Sequence, residues 1–267
     1  MLRIAAFVFA FVFPAAMLAD DADLRSLETA DTGRGWEGVG RLDIAGKGFC
    51  TGALIAIDEV LTAAHCFYSK SGELIDRSRV QFLAGLRGGQ AQAYRGVRRV
   101  VIHPSYVHGG EDVGPPQMMH DLALVQLDRP IQTSRILPFE TDAKPIKGDA
   151  VGVVSYAKGR EDTPSLQESC EVLGLRSGIL VMTCAVDYGA SGSPVFVFRD
   201  GVARIVSVVS SMAELDAQRV SLATALSRPY AELRAAFDDG DLSVTINDQT
   251  FIEPGTRQDT GAKFVRP

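Results

Sequence analysis

Phe49-Cys50-Thr51-Gly52-Ala53-Leu54-Ile55-Ala56, then Ile57-Asp58-Glu59, then Val60-Leu61-Thr62-Ala63-Ala64-His65-Cys66: the architecture of the chain is set by the reading of this run. The first part is apolar and small, the last opens on a short β-branched and apolar stretch, and an acidic pair lies between them, which reads as strand, turn, strand. Working outward, the same pattern recurs from Trp36 onward in short segments rich in β-branched and aromatic residues, separated by Gly, Pro, Asp and Asn. The expected strands on the first side are Val39 to Asp43, Phe49 to Ala56, Val60 to Thr62, Val80 to Leu83, Arg95 to Ile102 and Ala123 to Leu127. After a break around Pro130 to Gly148 come Val151 to Tyr156, Leu166 to Leu175, Ile179 to Ala185, Val195 to Arg199, Arg204 to Ser210 and Ser221 to Ala225. Two sets of six strands result, at the spacing of a barrel or a sandwich, with Arg199-Asp200-Gly201 as a hairpin turn.

Helix is sparse. Arg228 to Phe237 qualifies, with Pro229 in its first turn and Leu233, Ala236 and Phe237 on one face, and a short helical turn is expected just after His65. Residues 238–267 form a polar C-terminal extension with one candidate strand, Ser243 to Ile246. The 267 residues carry 46% hydrophobic and 22% charged side chains, which excludes disorder, collagen and coiled coil and allows one large domain or two small ones. The net charge is −6, and no basic cluster is longer than Arg98-Arg99, so a nucleic-acid partner is not expected.

The N-terminus carries an address. Met1-Leu2-Arg3 precedes an apolar run from Ile4 to Phe13, then Pro14 and small residues up to Ala19, ahead of an acidic stretch from Asp20. This is the pattern of a secretory signal peptide, residues 1–19, and the run is shorter than the ~20 residues of a spanning helix. The mature chain is therefore expected to be secreted or periplasmic, with no membrane attachment after cleavage. Four cysteines in an exported chain read as two disulfides. Spacing pairs Cys50 with Cys66 and Cys170 with Cys184, each closing a loop worth about 3 kcal/mol on the chain-entropy model. No C-x-x-C pair or paired-histidine spacing suggests zinc, so His108 and His120 read as loop residues.

Three motifs follow in order: Leu61-Thr62-Ala63-Ala64-His65-Cys66, His120-Asp121-Leu122-Ala123-Leu124 and Gly189-Ala190-Ser191-Gly192-Ser193-Pro194. A hydroxyl needs an imidazole to take its proton and a carboxylate to orient that imidazole before it can attack a carbonyl. His65, Asp121 and Ser191 supply those groups. The motifs resemble the trypsin/chymotrypsin-like serine peptidases. Phe49-Cys50-Thr51-Gly52 with the Cys66 motif is similar to the family's first disulfide around its histidine. His103-Pro104-Ser105-Tyr106 resembles a segment preceding its aspartate, and Ile205-Val206-Ser207-Val208-Val209 resembles the strand beside its cleft.

The resemblance implies an all-β fold of two six-stranded antiparallel barrels, about 36–135 and 148–227, within a peptidase domain 36–237 that ends on the C-terminal helix. Residues 20–35 are then an N-terminal segment or short propeptide, the latter with Arg34 as its processing site. It further implies a secreted, monomeric serine endopeptidase acting on protein or peptide substrates through an acyl-enzyme. The Gly189 and Ser191 amides would form the oxyanion hole. Ser207 would sit near Asp121, and Ala185, Val186, Asp187, Val208 and Val209 would line the substrate pocket. No cofactor is implied, and no metal, since the Ala84 to Gly96 loop lacks the carboxylates that hold calcium in some relatives.

The sequence also departs from the family. Ala190 stands where digestive members carry Asp, and no Ile-Val-Gly-Gly-like start is present. The Ser-Gly-Ser-Pro run and the short Cys184 to Gly189 loop are more similar to the bacterial, glutamyl-endopeptidase-type branch. That branch has a histidine where Val206 is aligned by this reading, so glutamate preference lacks its ligand, and small or medium apolar side chains are expected in the pocket. A catalytically silent binding module on the same barrels is the alternative, with Ala190 as its motive. An esterase elbow is disfavoured, because Gly189-Ala190-Ser191-Gly192-Ser193 lacks the final Gly of G-x-S-x-G.

Overall fold

The computed structural model describes residues 24–44, 48–109, 114–142, 147–215 and 218–240. The expected signal peptide and the Ser243 to Ile246 strand lie outside the described residues.

The quoted run folds as β3 (Gly48–Ala56) and β4 (Glu59–Thr62), preceded by β2 (Val39–Ile44). With β5 (Val80–Ala84), β6 (Ala93–Ile102) and β7 (Ala123–Leu127), these strands close a barrel in the order β2-β3-β4-β7-β6-β5. Pairing of Val60 with Val125 and of Leu61 with Leu124 brings apolar positions into register. Leu42, Leu54, Val60, Phe82, Val100 and Leu124 are all fully buried in its core.

The second unit contains β8 (Ala150–Ala157), β9 (Arg160–Arg176), β10 (Ile179–Met182), β11 (Pro194–Arg199), β12 (Val202–Leu215) and β13 (Gln218–Ala225). They belong to a seven-stranded sheet that also takes in β1 (Arg25–Ser26), and a further β8–β9 pairing returns the six later strands on themselves. Asp200 (φ 54°) and Gly201 (φ 75°) make the β11–β12 hairpin, as the Arg199-Asp200-Gly201 signal indicated.

Twelve expected strands are present with shifted ends. β9 begins at Arg160, β12 runs on to Leu215, and β10 stops at Met182 instead of Ala185. The two-residue β1 was not expected. It pairs Arg25 with Leu166 and Ser26 with Ser165, and Leu27 beside it is fully buried, so residues 24–27 of the expected N-terminal segment pack as part of the fold. Two short helical features flank the cleft: a 3-10 turn at Ala64–Phe67, close to the turn expected after His65, and the unforeseen α1 (Pro115–Met118).

The C-terminal helix, α2 (Ser227–Asp239), buries Leu233, Ala236 and Phe237, the residues assigned to its inner face. Gly240 at φ 70° ends it, two residues beyond the expected stop. Arg99 lies 4.1 Å over the Phe237 ring and Arg234 pairs with Glu59 at 2.5 Å, which docks α2 on the first barrel. Trp36, Phe139 and Phe196 fill the seam between the units, with ring centroids 4.9–6.0 Å apart. Both disulfides form as spaced, Cys50–Cys66 and Cys170–Cys184. Among the described residues no helix is long and apolar enough to cross a membrane.

Candidate active site

His65 is held in the 3-10 turn that follows β4, and Asp121 lies two residues ahead of β7, the partner of β4 in the barrel. That pairing brings the two side chains together although 56 residues separate them. His65 Nδ1 lies 2.7 Å from Asp121 Oδ2, and the His65 amide donates to Asp121 Oδ1 at 2.9 Å. Asp121 is 1% exposed, whereas the His65 side chain keeps 28% of its surface open.

Burial alone would lower the His65 pKa, but the adjacent Asp121 charge and hydrogen bond outweigh it and hold it above the ordinary histidine value. Burial alone would raise Asp121, but the His65 charge and the donors from His65 and Ser210 keep it below the ordinary carboxylate value. With Nδ1 engaged by Asp121, Nε2 is the nitrogen left to exchange a proton.

The third residue comes from the other unit. Ser191 sits in the loop before β11 and lines the same groove as His65, a cavity of about 890 Å³ walled also by Phe49, the Cys50–Cys66 bridge, Tyr68, Tyr188 and Gly189. Among the described residues no hydrogen bond joins Ser191 Oγ to His65, a looseness common in unliganded sites of this kind. Thr51, whose sequence motif gave it no role of its own, fixes the Ser191 loop across the seam. Its amide donates to the Ser191 carbonyl at 2.8 Å, its Oγ1 donates to the Gly189 carbonyl at 3.0 Å, and it accepts from the Tyr156 amide at 3.1 Å.

Gly189 has φ 96°, and a Cβ there would run into the Phe49 ring, so this position requires glycine. Neither the Gly189 nor the Ser191 amide donates to a carbonyl among the described residues. Ala190, buried, offers no carboxylate at the position before Ser191. A local turn organises it instead: Ala190 N donates to the Asp187 carbonyl at 2.9 Å, Ser193 N to the Ala190 carbonyl at 3.0 Å, and Tyr188 N to Asp187 Oδ1 at 2.7 Å.

One assignment needs correction. Ser207 does not meet Asp121; its hydroxyl donates to the Thr224 carbonyl at 2.7 Å inside the second unit. Ser210 donates to Asp121 Oδ2 instead. The family resemblance places Ser207 there by position, whereas the residue that reaches Asp121 is Ser210, which lies at the register shift between Val209 and Ser211. Val208 and Val209 are each 1% exposed and belong to the cores of the two units, not to a pocket wall.

Ala185, Val186 and Asp187 do line a cavity, of about 350 Å³, whose far wall is Met212, Arg219 and Val220. Lys158 and Arg160 complete its charged lining, and Lys158 also borders the groove that holds Ser191. The residue before Ser210 is Val209, so the histidine of the glutamyl-specific branch is missing in the corrected register as well.

The family model described as Trypsin matches residues 28–224. Human serine protease 56 is 34% identical over 137 residues, covering 49% of this chain and 21% of that protein. Human mannan-binding lectin serine protease 1 is 26% identical over 124 residues, covering 41% of this chain and 17% of that protein. The chain thus spans about a fifth of the length of these curated relatives, which are mammalian. A solved structure of a Glu endopeptidase in complex with MPD superimposes with a TM-score of 0.65 at 17% identity, over 84% of this chain and all of that one, and shares the fold.

Proposed function

Because this chain belongs to the trypsin family, we propose that it is a serine endopeptidase in which Ser191, His65 and Asp121 cleave peptide bonds by way of an acyl-enzyme. The observation that carries the reading is the 2.7 Å contact of a buried Asp121 with His65, which lines the same groove as Ser191.

In the proposed reaction, His65 Nε2 takes the Ser191 proton as Oγ bonds to the substrate carbonyl carbon. Asp121 keeps the imidazole oriented and stabilises its charged form. The Gly189 and Ser191 amides receive the oxyanion, a contribution of about 3 to 4 kcal/mol per donor in comparable enzymes. His65 then returns the proton to the leaving amine, and water repeats the sequence on the ester. The local turn across Asp187 to Ser193 supports an oxyanion loop that needs no buried ion pair, and hence activity without a zymogen cleavage.

The 350 Å³ cavity is the substrate side-chain pocket in this reading. Three cations against Asp187 favour an acidic side chain there, in place of the small apolar one expected from the sequence. The leader sequence and the two disulfides support export, and the packing of Leu27 supports retention of residues 24–35 in the mature protein as one unit with 36–237.

Labelling of the mature chain with a fluorophosphonate probe, beside Ser191→Ala, tests the proposal. Labelling lost in the variant is the expected result. Absence of labelling before and after limited proteolysis near Arg34 would favour a silent binding module.

A further inference from the structure

Outside the cleft, three side chains from distant parts of the chain converge where α2 meets the first barrel. His103 follows β6, His120 stands next to Asp121, and Glu232 lies on α2. One ligand atom from each falls within 4.8 Å of the others. His103 Nε2 lies 3.4 Å from Glu232 Oε2, and the two imidazole rings are 4.7 Å apart at a 32° tilt.

His103 is 1% exposed, and its Nε2 faces the Pro229 carbonyl and Glu232 Oε2 without a well-aligned hydrogen bond to either. A buried imidazole nitrogen aimed at a carboxylate oxygen is placed to serve as a ligand atom beside it. Glu232 retains 38% exposure, so the cluster opens to solvent on one side. Its Oε1 already accepts from Arg228 at 2.7 Å, which leaves Oε2 for another partner. Among the described residues the other grouping of this kind, Cys50, His65 and Cys66, has its sulfurs committed to a disulfide.

We infer that His103, His120 and Glu232 form a site for a divalent transition-metal ion, zinc above all, with water completing the coordination. Two imidazoles and one carboxylate match the nitrogen and oxygen donors that zinc accepts with an open fourth position, whereas calcium and magnesium take all-oxygen sets. The ligands come from three separate segments, so no local histidine spacing announced them, and the site departs from the metal-free expectation drawn from the sequence.

The proton balance is explicit. The Ser105 amide donates to His103 Nδ1 at 3.1 Å, which places the ring proton on Nε2 in the metal-free protein. The ion takes the Nε2 lone pair, the displaced proton moves through solvent to Nδ1, and the Ser105 contact is given up. One neutral hydrogen bond lowers affinity by about tenfold, far less than two imidazole ligands and a carboxylate supply. Occupancy would clamp α2 to the end of β6 and to the residue beside Asp121, so it should raise thermal stability whether or not the chain is a peptidase.

The test is titration of the chelator-treated full mature chain with zinc chloride by calorimetry, with Co²⁺ absorption as a second readout and melting temperature as a third. One ion per chain, saturating below about 100 micromolar, is expected, with a raised Tm and a tetrahedral Co²⁺ spectrum. Glu232→Gln and His120→Asn, both at partly exposed positions, should each weaken binding at least about tenfold, and the pair should abolish it. His108→Asn, outside the cluster, should leave it unchanged. Failure to saturate below about 100 micromolar, or binding that persists in the Glu232→Gln/His120→Asn protein, would overturn the assignment.

Discussion

Ser210→Ala separates the corrected site from the one that the family resemblance implied. Asp121 is buried and accepts from three donors: the His65 amide at 2.9 Å, His65 Nδ1 at 2.7 Å, and the Ser210 hydroxyl. Hydrogen bonds to charged groups contribute about 1.5 to 3 kcal/mol, and no water can replace this one in a site 1% exposed. Part of that energy holds the carboxylate ionised and part fixes its orientation toward His65. If about half of it is felt when the imidazole becomes charged in the transition state, the barrier rises by about 1 kcal/mol, and kcat/KM falls about fivefold to tenfold.

The same change has a second signature. A carboxylate that is no longer held in orientation is a weaker partner for protonated His65, as the raised barrier requires, so the His65 pKa falls and the acid limb of the pH profile moves to lower pH. Ser207→Ala is the companion variant. Its hydroxyl satisfies only the Thr224 carbonyl, a neutral acceptor, so about 1 kcal/mol of stability and a few degrees of Tm are lost while kcat/KM and the pH profile stay within twofold of the parent. Steady-state kinetics on a chromogenic peptide across pH, beside thermal unfolding, reads both. Equal activity losses in the two variants, or a silent Ser210→Ala, would refute the placement of Ser210 behind Asp121.

Three further outcomes are expected. Because the Asp121 pairing holds the His65 pKa above its ordinary value near 6.5, and only neutral His65 accepts the Ser191 proton, kcat/KM should fall as pH drops through a midpoint above 6.5; a midpoint below it would contradict the pairing. Leu27→Ala empties a fully buried position and should cost about 2 to 5 kcal/mol, seen as a lowered Tm, whereas a removable propeptide would leave the melting of the mature chain untouched. Arg219→Glu reverses one of the three cationic charges in the 350 Å³ cavity and should cut kcat/KM for substrates with Glu before the scissile bond at least about tenfold, with little effect on fluorophosphonate labelling; unchanged selectivity would remove Arg219 from the pocket.

What could be read from the sequence follows the range of the physics involved. The strands, the Asp200-Gly201 turn, the inner face of α2 and both disulfides depend on residues close in sequence, and each was legible. His65, Asp121 and Ser191 lie far apart, but each sits in a short motif of its own, so their roles could be suggested before any contact was known. The failures share a different cause. Ser207 and Ser210 are serines on one strand, and only the register shift near Val209, set by pairing with β13, decides which one faces Asp121. Leu27 is one apolar residue in a polar stretch without periodicity, and its burial is decided by β9, which is more than a hundred residues away. Thr51 is an ordinary strand residue until the second unit brings the Ser191 and Gly189 carbonyls and the Tyr156 amide to it. Cross-unit polar contacts of this kind carry no period and no local composition. They are nevertheless what fixes the loop of one unit against the imidazole of the other, so the least legible residues are those on which the geometry of the cleft depends.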